Sequence, residues 1–266
     1  MISKDQPILR ADNRSFKYGD GVFETMKCKG DRIALGHYHF ERLFTSLNLI
    51  QVDAQLISAD ILLKAIAEVC HINNCVDFAR VRLAVYRGEN NKAEYLIEVS
   101  PLENKITQWN QQGWTIDLHP YVRKPCDVFA NLKTSNYLPY IMAELFRMEK
   151  GLDECLVLNT SNKICDGSKS NIFLLVDKDI YTPALNQGCI NGVMRRFIID
   201  ELKKHNYIVK QTIISVELLN QANEVFLTNA IRGIKWVKSF REKKYTCTET
   251  KNIYKIIGET ISANSC

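Results

Sequence analysis

The chain has 266 residues, 46% of them hydrophobic, enough to bury the core of one large domain or two smaller ones. Its 35 basic and 30 acidic residues are well mixed, with a net charge of +5 and no dense Lys/Arg patch with interleaved aromatics, which argues against a nucleic-acid partner and leaves a phosphate or a carboxylate as the anions of interest. Nine cysteines, odd in number, scattered and without a Cys-x-x-Cys pair, exclude a disulfide framework or a zinc ribbon and read as buried hydrophobes in a reducing compartment. No apolar run approaches the roughly 20 residues needed to cross a bilayer, and the polar start Met1-Ile-Ser-Lys-Asp-Gln-Pro7 lacks the apolar core of a signal segment, so a cytoplasmic protein with no membrane partner and no metal is expected.

Residues 22–28 alternate like a strand, turn at Lys29-Gly-Asp31 and continue at 32–35, a hairpin pattern. Residues 39–50 read as a helix with Leu43, Leu47 and Ile50 on one face. Ser58-Ala-Asp60 can cap a second helix whose apolar positions include Ile61, Leu62, Ala65, Ile66 and Val69. Strand-like alternation returns at 78–87 and 94–100, on either side of Arg87-Gly-Glu-Asn-Asn91. Helices beside an antiparallel sheet predict a small α+β domain over residues 1–120, with the segment around His119-Pro-Tyr-Val-Arg-Lys-Pro125 as the link. In residues 121–266, short apolar strands at 153–158, 172–176 and 224–227 are separated by turns such as Asn159-Thr-Ser-Asn162, which predicts a larger domain with a barrel-like sheet, and 192–204 reads as an amphipathic helix.

Several residues carry possible chemistry. Lys133 lies in Asn131-Leu-Lys-Thr-Ser-Asn-Tyr-Leu-Pro-Tyr140, a polar turn between an apolar segment and a helix-like run. A lysine there is ordinarily a solvated charge; the sharper reading is a Schiff base with an aldehyde cofactor, of which pyridoxal phosphate is the commonest. Phe129, Ala130, Leu132 and Tyr137 offer it partial burial. Asp166, in Asp166-Gly-Ser-Lys-Ser-Asn-Ile-Phe173, is either a turn former or the acid that keeps a ring nitrogen protonated. Arg42, in His39-Phe-Glu-Arg-Leu43, is either a surface arginine paired with Glu41 or Asp53 or a fork for phosphate. Asn191 is an acceptable cap for a helix opening at Gly192, Val193 and Met194, whose N–H groups favour an anion. Tyr18 and Tyr137 are aromatic wall candidates, and Arg82 alternates onto a strand face with Arg80 and Ala84, as on many solvated edges.

The segments Tyr18-Gly-Asp-Gly-Val-Phe-Glu-Thr25, His39-Phe-Glu-Arg-Leu43, Leu132-Lys-Thr-Ser-Asn-Tyr137, Asp166-Gly-Ser-Lys-Ser-Asn-Ile-Phe173, Asn191-Gly-Val-Met-Arg195 and Glu224-Val-Phe-Leu-Thr-Asn-Ala230 together resemble, in order, the class IV aminotransferases, the fold-type IV group of pyridoxal phosphate enzymes. That group includes branched-chain aminotransferases, D-amino acid transaminases and aminodeoxychorismate lyases. The resemblance implies a two-domain α/β (α+β) protein with the cofactor between its domains, and a homodimer. It makes Lys133 the Schiff-base lysine and carrier of the substrate α-proton. Asp166 takes the ring-nitrogen position, where the family usually has glutamate. Arg42, the helix opening at Gly192 and the turn Thr228, Asn229 and Ala230 take the phosphate. Met194 stands where many members have threonine, so its contact would be backbone alone. Arg82 falls near a substrate-carboxylate position of the branched-chain enzymes.

The member is less defined. The arginine and histidine that D-amino acid enzymes carry shortly after an Arg-Gly pair are missing from Gly88-Glu-Asn-Asn-Lys-Ala-Glu-Tyr95. Thr134-Ser-Asn136 and Thr228-Asn-Ala230 replace glycine-containing motifs of the branched-chain pattern, and the Thr-Asn-Ala-x-x-Gly233 form resembles aminodeoxychorismate lyases at least as much. The leading expectation is amino transfer from a small, branched-chain-like α-amino acid to a 2-oxo acid. The alternatives are a 4-amino-4-deoxychorismate lyase forming 4-aminobenzoate and pyruvate, and a pyridoxal phosphate carrier without turnover.

Overall fold

The structure is a computed structural model and describes residues 8–263; Met1–Pro7, where the missing signal core was read, and Cys266 lie outside them. The first part holds α1 (Arg14–Tyr18), β1 (Gly21–Lys29), β2 (Arg32–Ile33), α2 (Gly36–Leu49), α3 (Ala59–Ile72), β3 (Ala79–Arg87) and β4 (Ala93–Pro101). The strands form an antiparallel sheet in the order β2-β1-β3-β4. Period-2 alternation divides its faces. Val22, Met26 and Cys28 of β1 and Val81, Leu83 and Val85 of β3 are buried in one core with Leu43 and Leu47 of α2 and Leu62 and Ile66 of α3. Ser58 caps α3 by accepting from the Ile61 N–H, as expected. The opposite face carries Phe23, Thr25 and Lys27, paired across the strands with Ala84, Arg82 and Arg80.

The second part holds β5 (Trp114–Lys124), α4 (Leu138–Glu149), β6 (Glu154–Asn159), β7 (Ile164–Gly167), β8 (Asn171–Val176), β9 (Asp179–Pro183), α5 (Val193–Lys204), β10 (Val209–Thr212), α6 (Val216–Gln221), β11 (Glu224–Asn229), β12 (Gly233–Phe240), β13 (Lys243–Lys244) and α7 (Thr248–Ala263). Its nine strands run β10-β9-β8-β11-β12-β5-β6-β7, with β13 on β12. The Ile164 N–H of β7 donates to the Ile214 carbonyl, just past β10, at 2.8 Å, so the sheet curls back on itself into the expected barrel-like form. Ile116, Leu156, Ile172, Val225 and Val237 fill one face of it, and α5 and α7 cover Phe173 and Phe226 on the other.

One expectation is corrected. The segment 119–125 does not link the two parts: His119 through Lys124 lie within β5, and the chain crosses between the sheets over 102–113. The register of β5 on β6 shifts between Leu118 and Arg123, and Pro120 sits exposed at that irregularity, where a strand tolerates a residue with no N–H. β5 and β6 are parallel, and a parallel pair needs a long crossover. That crossover, residues 125–153, carries Lys133 and α4.

Candidate active site

A cavity of about 380 Å³ lies between the Phe23/Thr25 face of the small sheet, the loop carrying Lys133, the start of α5 and the turn after β11. Its walls include Arg42, Lys133, Tyr137, Asp166, Gly192, Val193, Met194, Thr228, Asn229 and Ala230, so residues read as one site from scattered segments do meet.

The Lys133 loop is zipped onto β1. The Phe23 N–H donates to the Lys133 carbonyl and the Ser135 N–H to the Gly21 carbonyl, each at 2.9 Å. This holds the Lys133 Nζ 4.5 Å from the Phe23 ring centroid and 5.2 Å from that of Tyr137. Burial, and then the Arg42 guanidinium, push the amine down to about 7, against the pull of Glu24 and Asp166. Tyr137 in turn stacks on Tyr140, with centroids 4.4 Å apart.

Arg42 is not a surface arginine. It is 8% exposed, and its Nε and Nη2 donate to the two carboxylate oxygens of Glu24 at 2.7 and 2.5 Å, while Nη1 donates to the Asn191 carbonyl at 3.1 Å. Glu41, one partner weighed for it, pairs with Arg196 instead. His39, three residues earlier on the same face of α2, is buried with Nδ1 2.6 Å from Glu24, and burial lowers its proton affinity, so the neutral ring donates there. The Glu24 carboxyl, raised by burial but pulled down further by Arg42 and His39, ends at about 2. Sequence reasoning assigns no role to Glu24 or His39; the available signal is an acidic residue at a core-facing position of an alternating strand.

Asp166 is 1% exposed at the end of β7. Its Oδ2 accepts from the Tyr140 hydroxyl at 2.6 Å, the Ile190 N–H at 2.9 Å and the Lys124 ammonium at 3.2 Å; its Oδ1 accepts from the Asn171 amide at 2.8 Å. Burial raises its pKa, opposed by Lys124, Tyr140 and Ile190. Nothing in the local sequence marks Lys124, Tyr140 and Asn171 as its partners.

Helix α5 corrects a second detail. Its cap position is Gly192, not Asn191, and no side chain caps it. Asn191 is committed through its backbone, donating to the Asn131 carbonyl and accepting from Arg42. The first intrahelical bond is from the Arg196 N–H to Gly192, so the N–H groups of Val193, Met194 and Arg195 lack helical acceptors. A β-carbon at Gly192 would overlap the Asn171 side-chain oxygen. Met194 turns its side chain into the core with Phe197. In the turn after β11, the Thr228 hydroxyl donates to the Gly233 carbonyl at 3.0 Å, and the Asn229 side chain accepts from the N–H groups of Ile231 and Arg232.

Two candidates stand apart. Tyr18 is 62% exposed at the end of α1, against Arg14 and Lys17, and is not on the cavity wall. Arg82 is on the correct sheet face, 4.8 Å from the Phe23 ring centroid, but its guanidinium is held by Glu98 at 2.8 Å, and Arg80 lines the cavity instead.

A lysine with a low pKa, a buried acid, an uncapped helix start cradled by a glycine and an adjacent arginine define a site for an aldehyde cofactor bearing a phosphate. The sequence profile of the amino-transferase class IV family matches residues 21–240, and the chain belongs to that family. Its members are pyridoxal-phosphate-dependent aminotransferases or lyases, and the protein is an enzyme of that kind. It is 29% identical over 247 residues to the aminodeoxychorismate lyase of Bacillus subtilis, covering 88% of this chain and 82% of that one. It is 24% identical over 241 residues to the D-alanine aminotransferase of Listeria innocua, covering 86% and 81%. In fold it is similar to the branched-chain aminotransferase of Thermoproteus uzoniensis, with a TM-score of 0.86 at 22% identity over 98% of this chain and 91% of that one. Among the described residues no group of His, Cys, Asp or Glu is arranged to hold a metal, and no helix is long and apolar enough to cross a membrane.

Proposed function

We propose that the protein transfers the amino group of a small, branched-chain-like α-amino acid to a 2-oxo acid. The observation that carries this reading is Lys133 at the cavity wall, with its proton affinity lowered to about 7. When bound, pyridoxal phosphate supplies an aldehyde that takes up the substrate amine and a ring that stores the electron pair left at the α-carbon. In this reading Lys133 holds the aldehyde carbon. Arg42, the backbone N–H groups of Val193 and Met194 and the turn Thr228-Asn-Ala230 hold the phosphate. Asp166 would hold the ring nitrogen, and Tyr137 would contribute to the wall beside the ring.

With a pKa near neutrality, Lys133 can take a proton at Nζ and return it without a large cost in either direction. Arg42 keeps the amine from holding that proton too tightly, while Glu24 fixes the guanidinium. Phe23, Tyr137 and Ile190 line the cavity near Lys133 and keep water from the reacting atoms. Arg82 enters as a second cation on the same sheet face that lowers the Lys133 proton affinity. A cytoplasmic homodimer belongs to the same reading; the exposed Phe16 and Tyr18 of α1 support a face for a second copy.

The 29% identity to the Bacillus subtilis lyase favours a second reading, release of 4-aminobenzoate and pyruvate from 4-amino-4-deoxychorismate. The two reactions share α-proton removal and differ in the step after it. Cofactor absorbance of the purified enzyme decides between them: bleaching by an α-amino acid with formation of its 2-oxo acid supports amino transfer. Pyruvate and 4-aminobenzoate from the chorismate derivative, with no bleaching by amino acids, supports the lyase.

A further inference from the structure

The pairing of β5 with β6 lapses after Leu118 and resumes with Arg123 opposite Leu158 and Lys124 opposite Asn159. Irregularities of this kind re-aim the side chains beside them. Lys124 ends up buried, 5% exposed, with its Nζ 3.2 Å from the Asp166 Oδ2 and 5.1 Å from the Tyr140 ring centroid. Asp166 and Tyr140 line the cavity and Lys124 does not, so its charge reaches the cavity across the Asp166 carboxylate. Asp166 already accepts from the Tyr140 hydroxyl, the Ile190 N–H and the Asn171 amide. What Lys124 adds to these three neutral donors is a charge.

The other titratable groups around Asp166 do not supply that charge by contact. Burial, and then the Asp166 carboxylate, raise the proton affinity of Tyr137, Tyr140, Cys165 and Cys189, so all four stay neutral. Two further cations, Lys133 and Arg195, are close enough for Asp166 to raise their proton affinity. Lys133 is the amine assigned to the aldehyde, and the Arg195 Nη2 donates to the Pro183 carbonyl and to Gln211. Among the described residues Lys124 is the one cation in contact with Asp166, and it is the largest influence opposing the effect of burial there.

A buried carboxyl tends to keep its proton. A ring nitrogen held by a protonated Asp166 stays neutral, and a neutral ring is a poorer store for the electron pair left at the α-carbon. When two groups share one proton, a cation touching one of them weakens that one more, because Coulomb energy falls with distance. We propose that Lys124 is a positioning residue for the proton shared by Asp166 and the ring nitrogen: by contact with the carboxylate it keeps Asp166 ionised and places the proton on the ring. The inference rests on the assignment of Asp166 to the ring nitrogen.

The test is nitrogen NMR, at neutral pH, of the enzyme loaded with pyridoxal phosphate isotopically labelled at its ring nitrogen. Lys124→Gln keeps a donor for Asp166 and removes the charge, whereas Lys124→Arg keeps both. The parent and Lys124→Arg are expected to show the ring signal at the protonated position. In Lys124→Gln the ratio of proton on the ring to proton on the carboxyl is expected to fall roughly 10- to 1,000-fold, the effect of a contacting charge on a carboxyl, and the signal to move toward neutral pyridine. Melting of the cofactor-free variants is followed alongside. A lower midpoint in Lys124→Gln with an unmoved ring signal would make Lys124 only a partner for a buried charge and overturn the proposal, as would a neutral ring in the parent. If Lys124→Gln does not take up the cofactor, Lys124→His replaces it. An imidazole carries the charge only below about pH 6.5, so the ring signal is expected to move across that pH where the parent's stays fixed, and a signal as fixed as the parent's would overturn the proposal. An unmoved ring signal in Asp166→Asn defeats the assignment of Asp166 itself, an outcome read separately from that of Lys124→Gln.

Discussion

Lys133 owes its chemistry to its neighbours, and its titration is the direct consequence. A lysine lowered to about 7 is largely neutral above that pH and charged below it. Covalent capture of pyridoxal phosphate by the cofactor-free protein needs the neutral amine, so its rate, followed by absorbance, is expected to rise through pH 7 and level off above. Arg42→Ala removes a cation that lowers this pKa, so the midpoint moves up; an unmoved midpoint would mean that burial alone sets it. Glu24 gives the opposite linkage. Its carboxyl is held at about 2 in the folded protein against an ordinary 4.5, so its contribution to stability is fully present above pH 4.5 and is lost as pH falls toward 2. Glu24→Gln should flatten the acid limb of the unfolding free energy over that window and cost ~3–5 kcal/mol at neutral pH, because Arg42 is left buried without its partner. For Asp166, the variant to make is Asp166→Asn. It should still capture the cofactor at Lys133, but exchange of the substrate α-hydrogen in D2O should slow by roughly 10- to 1,000-fold, the range that a 1–3 unit change in ring-nitrogen basicity covers. Exchange at the parent rate would reduce Asp166 to a turn former.

Among the elements, α5 bears most on binding. Its start is open to an anion because no side chain caps it, and Asn191 spends its backbone on contacts from distant segments, the Asn131 carbonyl and Arg42. Those contacts are why the sequence predicts an Asn191 side-chain cap that does not form: local sequence shows a good capping residue but not a guanidinium 149 positions away. Gly192→Ala should displace Asn171, which itself donates to Asp166, costing ~1–3 kcal/mol in the melting of the cofactor-free protein and weakening cofactor affinity as well. Unchanged affinity would show that the helix start is not the phosphate cradle. The strands are legible in the sequence where alternation is clean, as in β3, whose core face carries Val81, Leu83 and Val85. β5 reads as a connection at 119–125 because Pro120 and exposed Tyr121 imitate a linker, and only the pairing with β6 on either side of the irregularity reveals a strand.

For the whole molecule, two sheets and their helices are legible from periodicity, and the site from six short segments whose common purpose is visible only through the family resemblance. The walls around those segments are not visible. Lys124 and Tyr140 around Asp166, and Glu24 beneath Arg42, are ordinary residues in their local sequence and acquire meaning when folding removes them from water and leaves them each other. Tyr18 shows the reverse: it lies in a family segment, yet the fold turns it outward, 62% exposed. Everything proposed for the cavity depends on Lys133 being the residue that holds the cofactor. Borohydride treatment of the cofactor-loaded enzyme, followed by peptide mapping, tests this directly. The phosphopyridoxyl group is expected on Lys133 and on no other lysine, including the buried Lys27, Lys124 and Lys235; a label on any of those, or no label after loading, would contradict the account.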